Sequence, residues 1–115
     1  MPRRALTDGS GKWFETETAI CWAEAQFFDG RNHVSMATND QWVHEYLYLT
    51  KKNMWILNRW SQWQGSVESY EAIKFDDAVK WLTLNGHNEP EDFDQDELKP
   101  SMRIDIMESI KSLET

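Results

Sequence analysis

Seven tryptophans stand in these 115 residues, and three of them, Trp55, Trp60 and Trp63, fall within Met54–Ser66. A tryptophan buries about 200 Å² of surface, so a few of them dominate the core of a small domain. Successive side chains of an extended segment point to opposite faces, and these tryptophans fall on both. One core cannot take them all. At least one must meet a second packed layer, a groove or a partner.

The length fits one domain with a single core and not two. No run of apolar residues reaches the span of a transmembrane helix. Met1-Pro2-Arg3-Arg4 is followed by no apolar segment, so no secretory signal is expected and the cytoplasm is the expected compartment. Cys21 is the one cysteine, which rules out an internal disulfide. It reads as a small apolar filler rather than a nucleophile, having no histidine close by in sequence.

The net charge of −8 is unevenly placed. Residues 85–115 carry nine acidic and three basic side chains, whereas residues 1–84 carry eleven and nine. Phosphate contacts need a basic stripe and none is visible, which argues against nucleic acid as a partner. A nucleic-acid mimic would spread its acidity along one long face, and this chain does so less clearly.

Residues 1–12 are polar, broken by Gly9 and Gly11, and read as a flexible arm. Residues 13–88 read as one α+β domain. Within it, residues 13–28 fit a helix or a strand equally well. Asp29-Gly30 signals a turn, and His33–Met36 a short strand. Gln41–Thr50 and Met54–Gln64 form the clearest element, a hairpin closed by Lys51-Lys52-Asn53 with Asn53 in the left-handed position.

That turn sets Thr50 opposite Met54 and Glu45 opposite Arg59. Val43, Glu45, Leu47 and Leu49 then share a core face with Trp55, Leu57, Arg59 and Ser61. The other face is aromatic and amphipathic, carrying Trp42, His44, Tyr46 and Tyr48 against Ile56, Asn58, Trp60 and Gln62.

Val67–Phe75 is a further strand. Asp76 is expected to cap a helix over residues 77–85 that Gly86 stops, with Ala78, Val79, Trp81 and Leu82 as its apolar stripe. Six acids between Glu89 and Glu97, together with Pro90, suggest a loosely ordered linker over residues 89–99. Residues 100–115 form a C-terminal helix with Met102, Ile106, Ile110 and Leu113 on one side. The expected fold is α+β: a small antiparallel sheet of about four or five strands, one packed helix and the C-terminal helix.

No established catalytic, phosphate-binding or metal-finger motif is present. A polar cluster of Asp29, Asn32 and His33 is the sharpest candidate site, and only Asp29, His33 and His44 could converge on a metal. The competing reading has a histidine capping the aromatic face and a carboxylate ordering a turn. No metal and no cofactor are expected. Ser61-Gln62-Trp63-Gln64 suits recognition of a planar or sugar-like ligand, or simply a wet strand face. His87 lies beyond a helix C-terminus, where a cation is favourable.

Four segments carry a resemblance: Phe28-Asp29-Gly30-Arg31-Asn32-His33-Val34-Ser35, Gln41-Trp42-Val43-His44-Glu45-Tyr46-Leu47-Tyr48, Trp60-Ser61-Gln62-Trp63-Gln64-Gly65-Ser66 and Ala78–Asn85. Residues 13–88 resemble a group of short, uncharacterised bacterial proteins, some of mobile-element origin. The resemblance implies a small bacterial cytoplasmic domain and carries no activity, cofactor or catalytic residue with it. The group's pattern places a glycine before Met54-Trp55, where this chain has Asn53.

The surplus aromatic face beside an acidic tail favours a non-enzymatic, protein-binding or regulatory role, of inhibitor or antitoxin type. The partner is expected to be another protein or a second copy in a homodimer. The face is Trp42, His44, Tyr46, Tyr48, Asn58, Trp60 and Gln62. The alternative is a small-ligand site floored by Trp42, Tyr46 and Trp60, and a third reading is a small hydrolase-type enzyme using Asp29, His33 or His44.

Overall fold

The computed structural model describes residues 3–63, 65 and 67–115. Eight strands and two α-helices follow in order: β1 (Arg3–Ala5), β2 (Trp13–Glu15), β3 (Ile20–Ala23), β4 (Gln26–Phe28), β5 (His33–Ser35), β6 (Val43–Leu49), β7 (Trp55–Ser61), β8 (Ser69–Ile73), α1 (Phe75–Leu84) and α2 (Pro100–Ser112). Strands β3-β6-β7-β8 form an antiparallel sheet, and β1-β2 and β4-β5 form two small ribbons. The fold is thus α+β, with an antiparallel sheet, one packed helix and a C-terminal helix.

The β6-β7 turn fixes the sheet. Asn53 adopts φ 64°, the Thr50 N–H donates to the Met54 carbonyl at 2.9 Å, and the Met54 N–H donates to Thr50 Oγ1 at 3.1 Å. The register follows from it: Leu49 faces Trp55, Glu45 faces Arg59 and Val43 faces Ser61. Helices α1 and α2 cover the face bearing Leu47, Leu49 and Trp55, where Trp22, Trp81, Leu82 and Ile106 complete the main core. Trp22 and Trp55 stack there at 5.7 Å.

Trp60 lies on the opposite face, part of which carries a second layer. Leu6 and Phe14 from the β1-β2 ribbon pack on Ile56 and Tyr70 in a separate buried cluster. This corrects the flexible arm expected over residues 1–12. From Arg3 onward the segment pairs with β2, and Thr7 bonds through its N–H and its Oγ1 to the Tyr70 carbonyl. Two isolated apolar residues, Leu6 and Phe14, suffice because both meet the same exposed sheet face.

The ambiguous residues 13–28 resolve into three short strands, with a 3₁₀ turn over Thr16–Thr18 between the first two. Helix α1 starts at Phe75 rather than 77, and Lys74 occupies its cap without a side-chain bond. It ends as expected at Gly86, φ 79°, where the His87 N–H reaches the Leu82 carbonyl at 2.8 Å in a Schellman closure.

The acidic linker is also corrected. Pro90–Phe93 form a 3₁₀ turn closed by a reciprocal capping box between Glu89 and Asp92. Phe93 (1% exposed) and Leu98 sit in the main core. Apolar anchoring at two positions outweighs the repulsion between carboxylates that point outward into water. In α2, Met102, Ile106 and Ile110 face the core as expected, while Leu113 is exposed. Among the described residues no helix is long and apolar enough to cross a membrane.

Candidate functional site

The expected aromatic face divides into two parts. At the turn end, Ile56 is buried beneath the β1-β2 ribbon and Tyr48 is half-buried beside Phe14, 5.3 Å between rings. Asn58 is buried too, its Nδ2 donating to Glu68 Oε1 and the Ser69 carbonyl, each at 3.1 Å. Asn58 therefore belongs to the protein's interior, which corrects its placement on a partner face, while Tyr48 is half-buried at the edge of the ribbon. The covering ribbon is the reason.

At the open end His44 is also buried, by a group the sequence reading missed. Its Nδ1 lies 2.6 Å from Glu24 Oε2. Glu24 Oε1 accepts from the Ser35 hydroxyl at 2.8 Å and from the Glu45 N–H at 2.6 Å. The Ser35 oxygen in turn accepts from the Ala37 and Thr38 N–H groups. Burial pushes the Glu24 carboxyl up, but the bonds from His44, Glu45, Ser35 and Gln26 outweigh it and hold it below its ordinary value.

A carboxylate accepts only, so His44 Nδ1 is the donor in this contact. That resembles the orientation of a catalytic histidine by a carboxylate. Nε2 is nonetheless buried, without a hydrogen-bond partner among the described residues, and the imidazole packs tilted against Trp60, 4.7 Å between ring centroids. The Ser35 hydroxyl is fully buried and already engaged by Glu24. The cluster locks β6 to the β3–β5 segment and presents no nucleophile to solvent.

Glu45 makes a comparable anchor on the core face. Its Oε2 takes both the Nε (2.9 Å) and Nη2 (2.6 Å) of Arg59, and Oε1 accepts from Trp81 Nε1 at 3.0 Å. The Arg59 partner follows from the register. Trp81 comes from α1 and was not anticipated.

What the open end exposes is aromatic. Trp42 (39% exposed) and Trp63 (61% exposed) lie 5.2 Å apart between ring centroids, with Gln62 exposed between them in sequence. Trp60 and Tyr46, both half-buried, stack behind at 6.1 Å. Gln64, named in the glutamine reading, lies outside the described residues.

Asp29, Asn32 and His33 sit together on the β4-β5 turn but do not meet His44. Asp29 Oδ1 accepts from the Arg31 and Asn32 N–H groups at 2.8 Å each, and these bonds hold its carboxyl below its ordinary value. His33 is exposed and packs tilted against Phe28, 5.4 Å between ring centroids. His44 is engaged by Glu24 instead, so Asp29, His33 and His44, the one set that could have converged on a metal, do not meet. No group of three or more metal-ligating side chains gathers among the described residues.

Cys21 faces Tyr48 across β3-β6, and desolvation raises its thiol above the ordinary value, which keeps it a weak nucleophile. His87 does more than complement a helix end. Its Nε2 lies 2.6 Å from the Ala23 carbonyl and its ring stacks on Trp81, tying α1 to β3.

Two cavities open away from the tryptophan pair. One of about 490 Å³ lies between the β6-β7 turn, Phe75 and α2, and one of about 640 Å³ lies between the β1-β2 ribbon and the β6-β7 turn. Compared with protein-family models, curated proteins and solved structures, the chain matches none.

Proposed function

We propose that this protein is a non-enzymatic binding protein that acts on another protein through the exposed aromatic end of its sheet, in a regulatory, inhibitor-like or antitoxin-like role. The observation that carries this reading is the Trp42–Trp63 pair, two large indoles in mutual contact and open to solvent. Tryptophan is enriched at binding hot spots, and contiguous apolar exposure on a folded domain marks interaction surfaces. The tail supports the same reading. Glu89, Glu91, Asp94, Asp96 and Glu97 are exposed on a segment pinned by Phe93 and Leu98, which gives a fixed anionic ridge suited to a basic partner.

Native mass spectrometry of the untagged protein from its own host tests this. A co-purifying protein that is retained by the wild type and lost by Trp42→Ser/Trp63→Ser supports the proposal. The same partner retained by the double variant overturns it. A dimer that the double variant abolishes assigns the surface to a second copy. Saturable quenching by a small molecule, lost in that variant, makes the surface a ligand groove.

A further inference from the structure

The cavity of about 640 Å³ is separate from the tryptophan pair and has a division of chemistry of its own. Its apolar wall is Trp13 and Met54, both exposed, with the buried Leu6, Phe14 and Ile56 behind them. Two loops from different parts of the chain bring lysines to its edge, Lys12 from the β1-β2 loop and Lys51 and Lys52 from the β6-β7 turn. All three are exposed.

No carboxylate among the described residues forms an ion pair with these lysines. Glu15, the one acidic residue in the lining, is engaged by Arg3 at 3.5 Å. Asp8 lies near enough to Lys12 to feel its charge, but its carboxylate is engaged chiefly by Ser10. In a chain of net charge −8, three like charges converging on an apolar opening oppose one another until an anion joins them.

We propose that this cleft binds a small amphipathic carboxylate, its apolar body against Trp13 and Met54 and its charge among Lys12, Lys51 and Lys52. A volume of this size lies within the range of small-molecule sites, and an apolar lining with a few convergent charges is their usual construction. Lysine suits the task because its ammonium group is a flexible point charge that follows a mobile carboxylate.

Isothermal titration with decanoate, decanol and decyltrimethylammonium tests the charge requirement, with Trp13 in the lining as a fluorescent reporter. Decanoate is expected to saturate one site and to bind at least tenfold more tightly than decanol, with no binding of the cation. Lys51→Glu/Lys52→Glu, at exposed turn positions, should weaken decanoate at least tenfold and leave the unfolding midpoint in place. Added salt should weaken decanoate and not decanol. Equal binding of decanoate and decanol, or decanoate binding unmoved by the double variant, overturns the proposal. So does lysine-dependent binding to phosphatidylglycerol vesicles without binding of free decanoate, because it makes the lysines a lipid-surface contact.

Discussion

Glu24 Oε2 lies 2.6 Å from His44 Nδ1, joining the end of β3 to the start of β6 through two side chains that are both almost fully buried. The same carboxylate accepts from the Glu45 N–H and the Ser35 hydroxyl, so one residue satisfies three groups on two strands, β5 and β6. This arrangement removes His44 from the surface.

Glu24→Gln should therefore destabilise the fold. Losing charge-assisted bonds at a buried site costs about 2–3 kcal/mol. The carboxyl titrates lower in the folded chain than in the unfolded one. Its contribution is thus complete above the ordinary glutamate value of 4.5 and is lost as pH falls through the lower folded value. Urea midpoints for wild type and Glu24→Gln should differ at pH 7 and converge toward pH 3. A constant gap across that range would show that the carboxylate's charge is not what stabilises the site.

The β1-β2 ribbon acts as a second-layer lid on Ile56 and Tyr70. Phe14→Ala should cost about 3–5 kcal/mol, the usual penalty for emptying a buried aromatic position. Removing residues 1–15 should expose the second buried cluster and produce dye binding or aggregation. A truncated protein with the wild-type melting temperature would restore the flexible-arm reading.

The acidic segment separates into anchors and charges. Phe93→Ala should cost about 3–5 kcal/mol by the same mechanism. Glu91→Lys/Asp94→Lys changes exposed positions and should move the melting temperature little, while weakening any basic partner in a salt-dependent way. Deleting residues 89–115 would remove Phe93, Leu98 and Ile106 from the core together and so cannot report on the charges alone. Comparing thermal melts with partner affinity for the two kinds of variant checks the division.

The parts of the fold that were legible are those with local signatures. Asn53 tolerates the left-handed turn, and that turn fixes the Glu45–Arg59 register within one hairpin. Leu6 and Phe14 were not legible, because their meaning depends on Tyr70, far along the chain; the Thr7–Tyr70 bond spans 63 residues. Phe93 was obscured by the carboxylates around it, since charge density describes solvation and not where one aromatic ring docks. The Glu24–His44 contact escaped because Glu24 lies past the end of β3, where alternation no longer assigns a face. His44 and Asn58 were lost from the expected partner face for a different reason. The alternation located His44 and Asn58 correctly on that face, but what covers the face is a tertiary fact.

Glu45, Arg59 and Trp81 set the last test. The Glu45 carboxylate is almost fully buried, while the Arg59 side chain is 58% exposed, so the two partners carry unequal desolvation. Arg59→Leu leaves a buried carboxylate with the Trp81 N–H as its remaining side-chain donor, and this should cost about 3 kcal/mol. Glu45→Leu/Arg59→Leu removes the buried charge along with its partner and should recover most of that loss, since an apolar pair packs acceptably against Leu47 and Trp81. Glu45→Leu alone leaves Arg59 in water and should fall between the two. Urea unfolding of the four proteins forms a double-mutant cycle. A double variant as unstable as the sum of the singles would mean that the pair does not act as a unit, and that Glu45 is held chiefly by α1 through Trp81.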